Sequence, residues 1–218
     1  MSNEVRISHK GLLSFIEKRF NKRVAKLNGN DYLGKAFEMW FTMMTEAQSD
    51  QVCQLINVKT YDPNQKSSTS FGKTPFKEIL KSIIGASEHT LPTLALAMLE
   101  KLPVSASNSD IEKYLTLIEK TRDTFDSLLG INGVLIFPSF PTVAPYHNQA
   151  LFTNPLDWIV YFGVVNSIGL PSTQIPLGLS NGERLPMGIQ LIANRFCDRL
   201  TIKVANMLES EYVGWMEP

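Results

Sequence analysis

Cysteine is scarce: Cys53 and Cys197 are the whole supply in 218 residues. Two thiols cannot build a disulfide framework, and these lack metal-ligand spacing, so they read as ordinary thiols of a reducing compartment. Neither sign of charge is in excess, with 21 basic against 21 acidic residues and a formal net charge of zero. That balance leaves no electrostatic footprint for nucleic acid. Long apolar runs are missing as well. The most apolar stretches, 128–137 and 158–165, fall short of the roughly 18 residues that cross a bilayer. The opening MSNEVRISHK is polar and leads into a charged helix, unlike a signal peptide. A cytoplasmic chain, or one peripheral to an intracellular membrane, is the expectation.

Reactive motifs are also absent. There is no Gly-x-Ser-x-Gly elbow, no His-Glu-x-x-His zinc site and no Cys–His arrangement. Gly72-Lys73-Thr74 fails as a phosphate loop, because the glycine required five positions earlier is Ser67. Lys66-Ser67-Ser68-Thr69-Ser70 places a lysine beside several serines, the ingredients of a nucleophile and its base. No glycine precedes Phe71-Gly72 in that polar loop to present backbone donors to an oxyanion, so the segment reads as solvated. His147 has no partner carboxylate in a motif and reads as a loop residue. No metal and no cofactor is expected.

What is present is globular. Apolar residues make up 44% and charged ones 19% of the chain, a balance that buries a core and argues against wholesale disorder. Leu12, Leu13, Ile16, Phe20 and Val24 share one face of a helix predicted over 8–24, and residues 24–27 suggest a brief strand. A helix over 32–48 carries Phe37, Trp40, Phe41 and Met44, read as a core stripe. Thr74-Pro75 and Pro92 open two further helices. Their apolar stripes flanked by Lys73, Lys77 and Lys81 suit either the core or, over 74–102, a shallow membrane contact. Ser109-Asp110-Ile111-Glu112 is a capping box whose helix runs to Gly130. Its predicted buried side is Ile111, Tyr114, Leu115, Ile118, Phe125, Leu128 and Leu129. Residues 133–137 then read as an apolar strand ended by Pro138, with a pocket rim in the 138–149 loop.

The chain centres on 158–193. A helix over 156–168 stops at Gly169-Leu170-Pro171, and strands over 173–178 and 187–193 flank Asn181-Gly182, a dipeptide that favours a hairpin. Residues 189–193 are nearly continuous in apolar character, which suits a strand covered by helices on both faces. No internal domain boundary is resolved in 1–218.

Asn166-x-x-Gly169-Leu170-Pro171, Pro176-x-Gly178 and Pro186-x-Gly188-x-Gln190 together resemble the C-terminal signature of the amidase-signature serine hydrolases. Phe137-Pro138-Ser139-Phe140-Pro141-Thr142-Val143-Ala144-Pro145 is similar to the family's strand-end loop, and Asp198-Arg199-Leu200-Thr201 and Gly214-Trp215 extend the match. Within the family the chain looks most like the fatty-acid amide hydrolase branch. The resemblance implies an α/β fold with a mixed β-sheet core covered by helices, of which 1–218 is the C-terminal part, incomplete without the N-terminal half. It also implies hydrolysis of fatty-acid primary amides or N-acylethanolamines by the full-length family. The family's Lys–Ser–Ser triad lies in that other half, so no catalytic residue is assigned here and the chain is expected to be inert alone. By position, the 156–168 helix lines the acyl channel of such relatives. Asp157, Tyr161, Phe162, Val165 and Asn166 are therefore the candidate contacts for a fatty-acid amide or other acyl ligand. Two alternatives stand beside this one: a non-catalytic lipid-binding or interaction module, and half of a split amidase.

Overall fold

A computed structural model describes residues 1–28, 30–46, 74–87, 89–90, 93–94, 108–146, 149, 156–212 and 214–217. The lysine–serine cluster at 66–70, Cys53, His147 and most of the helix predicted after Pro92 lie outside them.

Three strands form the sheet: β1 (Val134–Pro138), β2 (Ser172–Leu179) and β3 (Pro186–Ala193), in the order β1-β3-β2. Both pairings are antiparallel, so the mixed character the resemblance implied is not displayed by these three strands, while the α/β class is borne out. The register sets Phe137 and Gln174 on either side of Gln190, and Leu135 and Ser172 on either side of Ile192. Central β3 is buried on both faces, as its unbroken apolar run predicts. Ile189 and Leu191 enter one core with Leu12, Ile175, Leu177, Ala205 and Leu208. Ile192 enters the other with Ala36, Met39, Ile118, Phe125, Val164 and Ile168.

Helices supply the outer layers. On the first face lie α1 (Asn3–Phe20) and the last helix in the chain, α7 (Asp198–Glu211). Helix α1 begins five residues before the predicted start, because the Ser2 hydroxyl caps it by accepting from the Val5 N–H at 3.4 Å. It stops at Phe20, where Asn21 adopts φ 51°. Phe20 is consequently exposed, and residues 24–27 run outside any ladder, contrary to the brief strand expected. Arg19 and Glu211 tie the two helices together at 2.6 Å, a surface pair.

On the second face lie α2 (Asn30–Leu33), α3 (Ala36–Glu46), α5 (Asn108–Leu129) and α6 (Leu156–Ile168); α4 (Thr74–Ile83) precedes α5 in the chain. Helix α6 is apolar all round because α3, α5 and the sheet surround it. It ends where predicted. Gly169, at φ +72°, donates to the Val165 carbonyl at 3.1 Å, and the Leu170 N–H reaches the same oxygen at 3.1 Å. This left-handed close gives Asn166-x-x-Gly169 its physical meaning.

Two expectations are corrected on this face. The single helix predicted over 32–48 is broken at Gly34-Lys35, and among its described side chains the buried ones are Ala36, Met39 and Thr42, not Phe37, Trp40 and Phe41; the side chain of Met44 lies outside the described residues. Phe37, Trp40 and Phe41 are half-buried and pack on one another, with Phe37 stacked on Phe41 at 5.9 Å. The cause is close approach. Helix α6 presents Gly163 to α3, and a Cβ there would stand 3.1 Å from the Ala36 carbonyl, too near for a large side chain to fit between. In α5, Leu128 points to solvent, while Thr121 is buried and satisfies its hydroxyl on the Leu117 carbonyl at 2.7 Å.

The β2–β3 reversal falls at Asn181-Gly182, but neither residue takes positive φ. The loop is longer, with Arg184 at φ 52° and the Ser180 N–H closing on the Leu185 carbonyl at 2.9 Å. No helix among the described residues is long and apolar enough to cross a membrane.

Gly163→Leu is expected to lower stability by about 1–3 kcal/mol, because it forces α3 and α6 apart. Urea unfolding measures this, and an unchanged midpoint would remove the close-approach account.

Candidate functional site

One end of the sheet is fastened by a buried amide. The Gln190 side chain faces α6. Its Nε2 donates to the Pro138 carbonyl at 3.1 Å and to the Tyr161 carbonyl at 2.5 Å, and its Oε1 accepts from the Ser172 hydroxyl at 2.8 Å. The end of β1, the middle of α6 and the start of β2 are thereby held by one side chain. Full satisfaction is required there, since an unpaired amide at a buried site costs more than the bond is worth.

Gly188, two residues earlier on β3, completes the arrangement. Gln174 lies across it, and a Cβ at Gly188 would collide with the Gln174 amide and come within 2.7 Å of the Ile175 carbonyl. Gln174 in turn accepts a short hydrogen bond from the Ser139 hydroxyl, which pins the first residue of the loop after β1. Further along that loop, the Pro141 carbonyl accepts from the Ser2 N–H at 2.6 Å. Tyr146 donates to Glu183 in the hairpin turn, and this bond to a carboxylate raises the phenol above its ordinary pKa. The strand-end loop, the hairpin turn and the start of α1 meet at one end of the sheet.

An aromatic wall stands beside this knot. Phe137 packs on Tyr161 at 5.8 Å, Phe140 on Trp158 at 6.3 Å, and Trp158 on Phe162 at 6.0 Å. The wall is half-buried, and the Trp158 indole N–H is buried without a partner among the described residues. Rings from a strand end, a loop and one face of a helix thus line one half-buried apolar surface.

The five candidate contacts separate across α6. Tyr161 and Phe162 belong to the aromatic wall. Val165 lies in the core and lines a cleft beside β1 together with Val160, Val164 and the wall's own Phe137. Asn166 is exposed, and its backbone carbonyl accepts from Gly169 at 3.2 Å as part of the helix end. Asp157 sits in the first turn of α6, and its side chain lies outside the described residues. Sequence reasoning misses Phe137, Phe140 and Trp158 as wall residues, and Gln174, Ser139 and Gln190 as the groups that position them. Trp158 stands three and four residues before Tyr161 and Phe162, so helical spacing alone signals the shared face. The glutamine network leaves no such trace, because its partners are mostly backbone carbonyls. Among the described residues no cluster of three or more potential ligands is arranged for a metal.

The model of the Amidase family matches residues 39–202. Fatty-acid amide hydrolase 2 of Homo sapiens is 37% identical over 84% of this chain and 33% of its own length. Fatty-acid amide hydrolase 2-B of Danio rerio is 42% identical over 66% of this chain and 26% of its own. A crystal structure of a glutamyl-tRNA(Gln) amidotransferase chain from Thermotoga maritima superposes with a TM-score of 0.58 at 18% identity, over 97% of this chain and 39% of that one. The likeness to that structure is one of fold. The chain spans about a third of the length of the curated relatives it matches.

Gln190→Leu is expected to cost about 1–3 kcal/mol, because it strands the carbonyl of buried Pro138. It should also speed amide exchange at 138–146 more than at α7. Denaturant midpoints with residue-level exchange check both, and uniform acceleration over the whole chain would contradict the local role.

Proposed function

The chain belongs to the amidase family, and from that premise we propose that it forms the acyl-side wall of a fatty-acid amide hydrolase-like amidase. The aromatic wall of Phe137, Phe140, Trp158, Tyr161 and Phe162 carries this reading: rings in contact at the end of β1, backed by a satisfied amide network. Similarity to the fatty-acid amide hydrolases supports a fatty-acid amide as the ligand, its hydrocarbon chain against the rings.

Cutting an amide requires an activated nucleophile, a base for its proton and donors for the oxyanion. The family resemblance assigns the first two to a lysine and two serines. In this reading those groups come from polypeptide beyond the part of the amidase domain spanned here. The chain then contributes position and exclusion of water, with no catalytic residue of its own. Asp157, Val165 and Asn166 take supporting places, Val165 in the core beneath the helix and Asn166 at its end. Peripheral contact with a membrane through 74–102 belongs to the same proposal. Leu80 and Ile84, exposed on and just after α4, support it.

The test is oleamide mixed with the purified chain, followed by calorimetry and by mass spectrometry of the released acid. Saturable binding without turnover is the expected result. Phe162→Ala should weaken binding about tenfold, the effect of losing roughly 1.4 kcal/mol of ring contact. Release of oleic acid that an active-site serine reagent abolishes would overturn the reading.

A further inference from the structure

The turn between β3 and α7 holds a phenylalanine where a glycine would fit better. The Cys197 N–H closes the turn on the Asn194 carbonyl at 3.0 Å, and the Asn194 side chain accepts from the Arg195 N–H at 2.7 Å. Phe196 follows Arg195 at φ 64°. Glycine or asparagine ordinarily fills such a position, because a left-handed backbone crowds a larger side chain. Phe196 is also 96% exposed, so no packing offsets the strain. A strained backbone that presents an aromatic ring to solvent destabilises the folded chain, and such features collect where a surface meets something else.

Other apolar side chains gather at the same corner. Arg195 pairs with Asp126 at 2.7 Å, the Asn194 amide donates to the Asp126 carbonyl at 3.5 Å, and the Cys197 thiol reaches the Ile131 carbonyl at 3.9 Å. These contacts hold the end of α5 and the residues after it against the turn, at the Val134–Ala193 end of the β1–β3 ladder. Ile131, 80% exposed, and exposed Leu128 thereby join Phe196. Cations accompany them. Residues 195–203 carry Arg195, Arg199 and Lys203 against the single acid Asp198, in a chain of zero net charge. Arg199, Ile202 and Lys203 are all exposed on α7, at the three- and four-residue spacing of one helix face.

We propose that this corner docks on a membrane containing anionic lipid. Phe196 and Ile131 enter the boundary between headgroups and acyl chains, while Arg199 and Lys203 meet the lipid phosphates. The charge pattern supports that occupant, since apolar side chains bordered by cations are what an anionic interface binds. A ring as exposed as Phe196 projects from the surface, which suits insertion into a fluid layer. The inference does not depend on the acyl wall, and it concerns a surface separate in sequence from the contact through 74–102.

The chain is sedimented with vesicles of phosphatidylcholine alone and with vesicles containing about one third phosphatidylserine. Binding on the order of tenfold tighter to the mixed vesicles is expected. Phe196→Gly should weaken that binding about tenfold and leave the thermal midpoint unchanged or higher, because it removes strain and no packing. Arg199→Glu together with Lys203→Glu should abolish the preference for phosphatidylserine. Leu80→Ser with Ile84→Ser should leave that preference in place, which separates this corner from α4. The proposal is overturned if the chain binds neither vesicle or both equally, or if Phe196→Gly binds as the unsubstituted chain does. A lowered thermal midpoint in Phe196→Gly would also overturn it, by showing that the ring packs within the chain. So would a dimer of the chain that Phe196→Gly dissociates and vesicles do not, since the corner would then belong to a second copy. Oleamide binding in vesicle-free buffer is read separately, and its absence removes the acyl-wall reading alone.

Discussion

A buried carboxamide cannot be left half-satisfied, and the end of this sheet is built around that constraint. Gln190 projects from the central strand into an otherwise apolar layer, where the desolvation of its amide has to be offset by hydrogen bonds. The partners come from three different elements, so satisfying one side chain fixes the end of β1, α6 and the start of β2 relative to one another. Phe137 and Phe140 reach Tyr161 and Trp158 because of that fixation. Removal of the amide would leave the rings in the molecule but not their common surface.

The second organising feature is the two-sided burial of β3. Alternate residues feed separate cores, one under α1 and α7 and the other under α3, α5 and α6. Sheets that lie between helical layers require a run of apolar residues instead of alternation. The same logic extends to β1, whose four apolar residues match a strand buried on both sides more closely than a sheet edge.

Much of this is legible in the sequence because the signals are local. The end of α6 follows from Gly169 and the two-layered burial from the apolar run at 189–193, while the turn dipeptide gives the hairpin's place but not its geometry. The aromatic stripe of α3 misleads because hydrophobicity alone does not say which face meets a neighbour. The contact between Ala36 and Gly163 depends on two small residues 127 positions apart in the chain. Residues 24–27 stand off the ladder, since a strand exists through its partner and not through its own sequence. The candidate contacts come from one helix in chain order, whereas the wall takes one face of that helix together with a strand end and a loop. Tyr161 and Phe162 lie on that face with Val165 buried one turn further on, while Asn166 is exposed at the helix end.

In this reading the chain supplies a surface for an acyl chain and not the groups that cut the amide. Trp158, at the centre of the ring contacts, reports on it directly once Trp40 and Trp215, the other two tryptophans, are replaced by phenylalanine. Titration of oleamide should then give a saturable change in Trp158 fluorescence with the amide recovered intact. No change at Trp158, or consumption of the amide by the chain alone, would contradict the account.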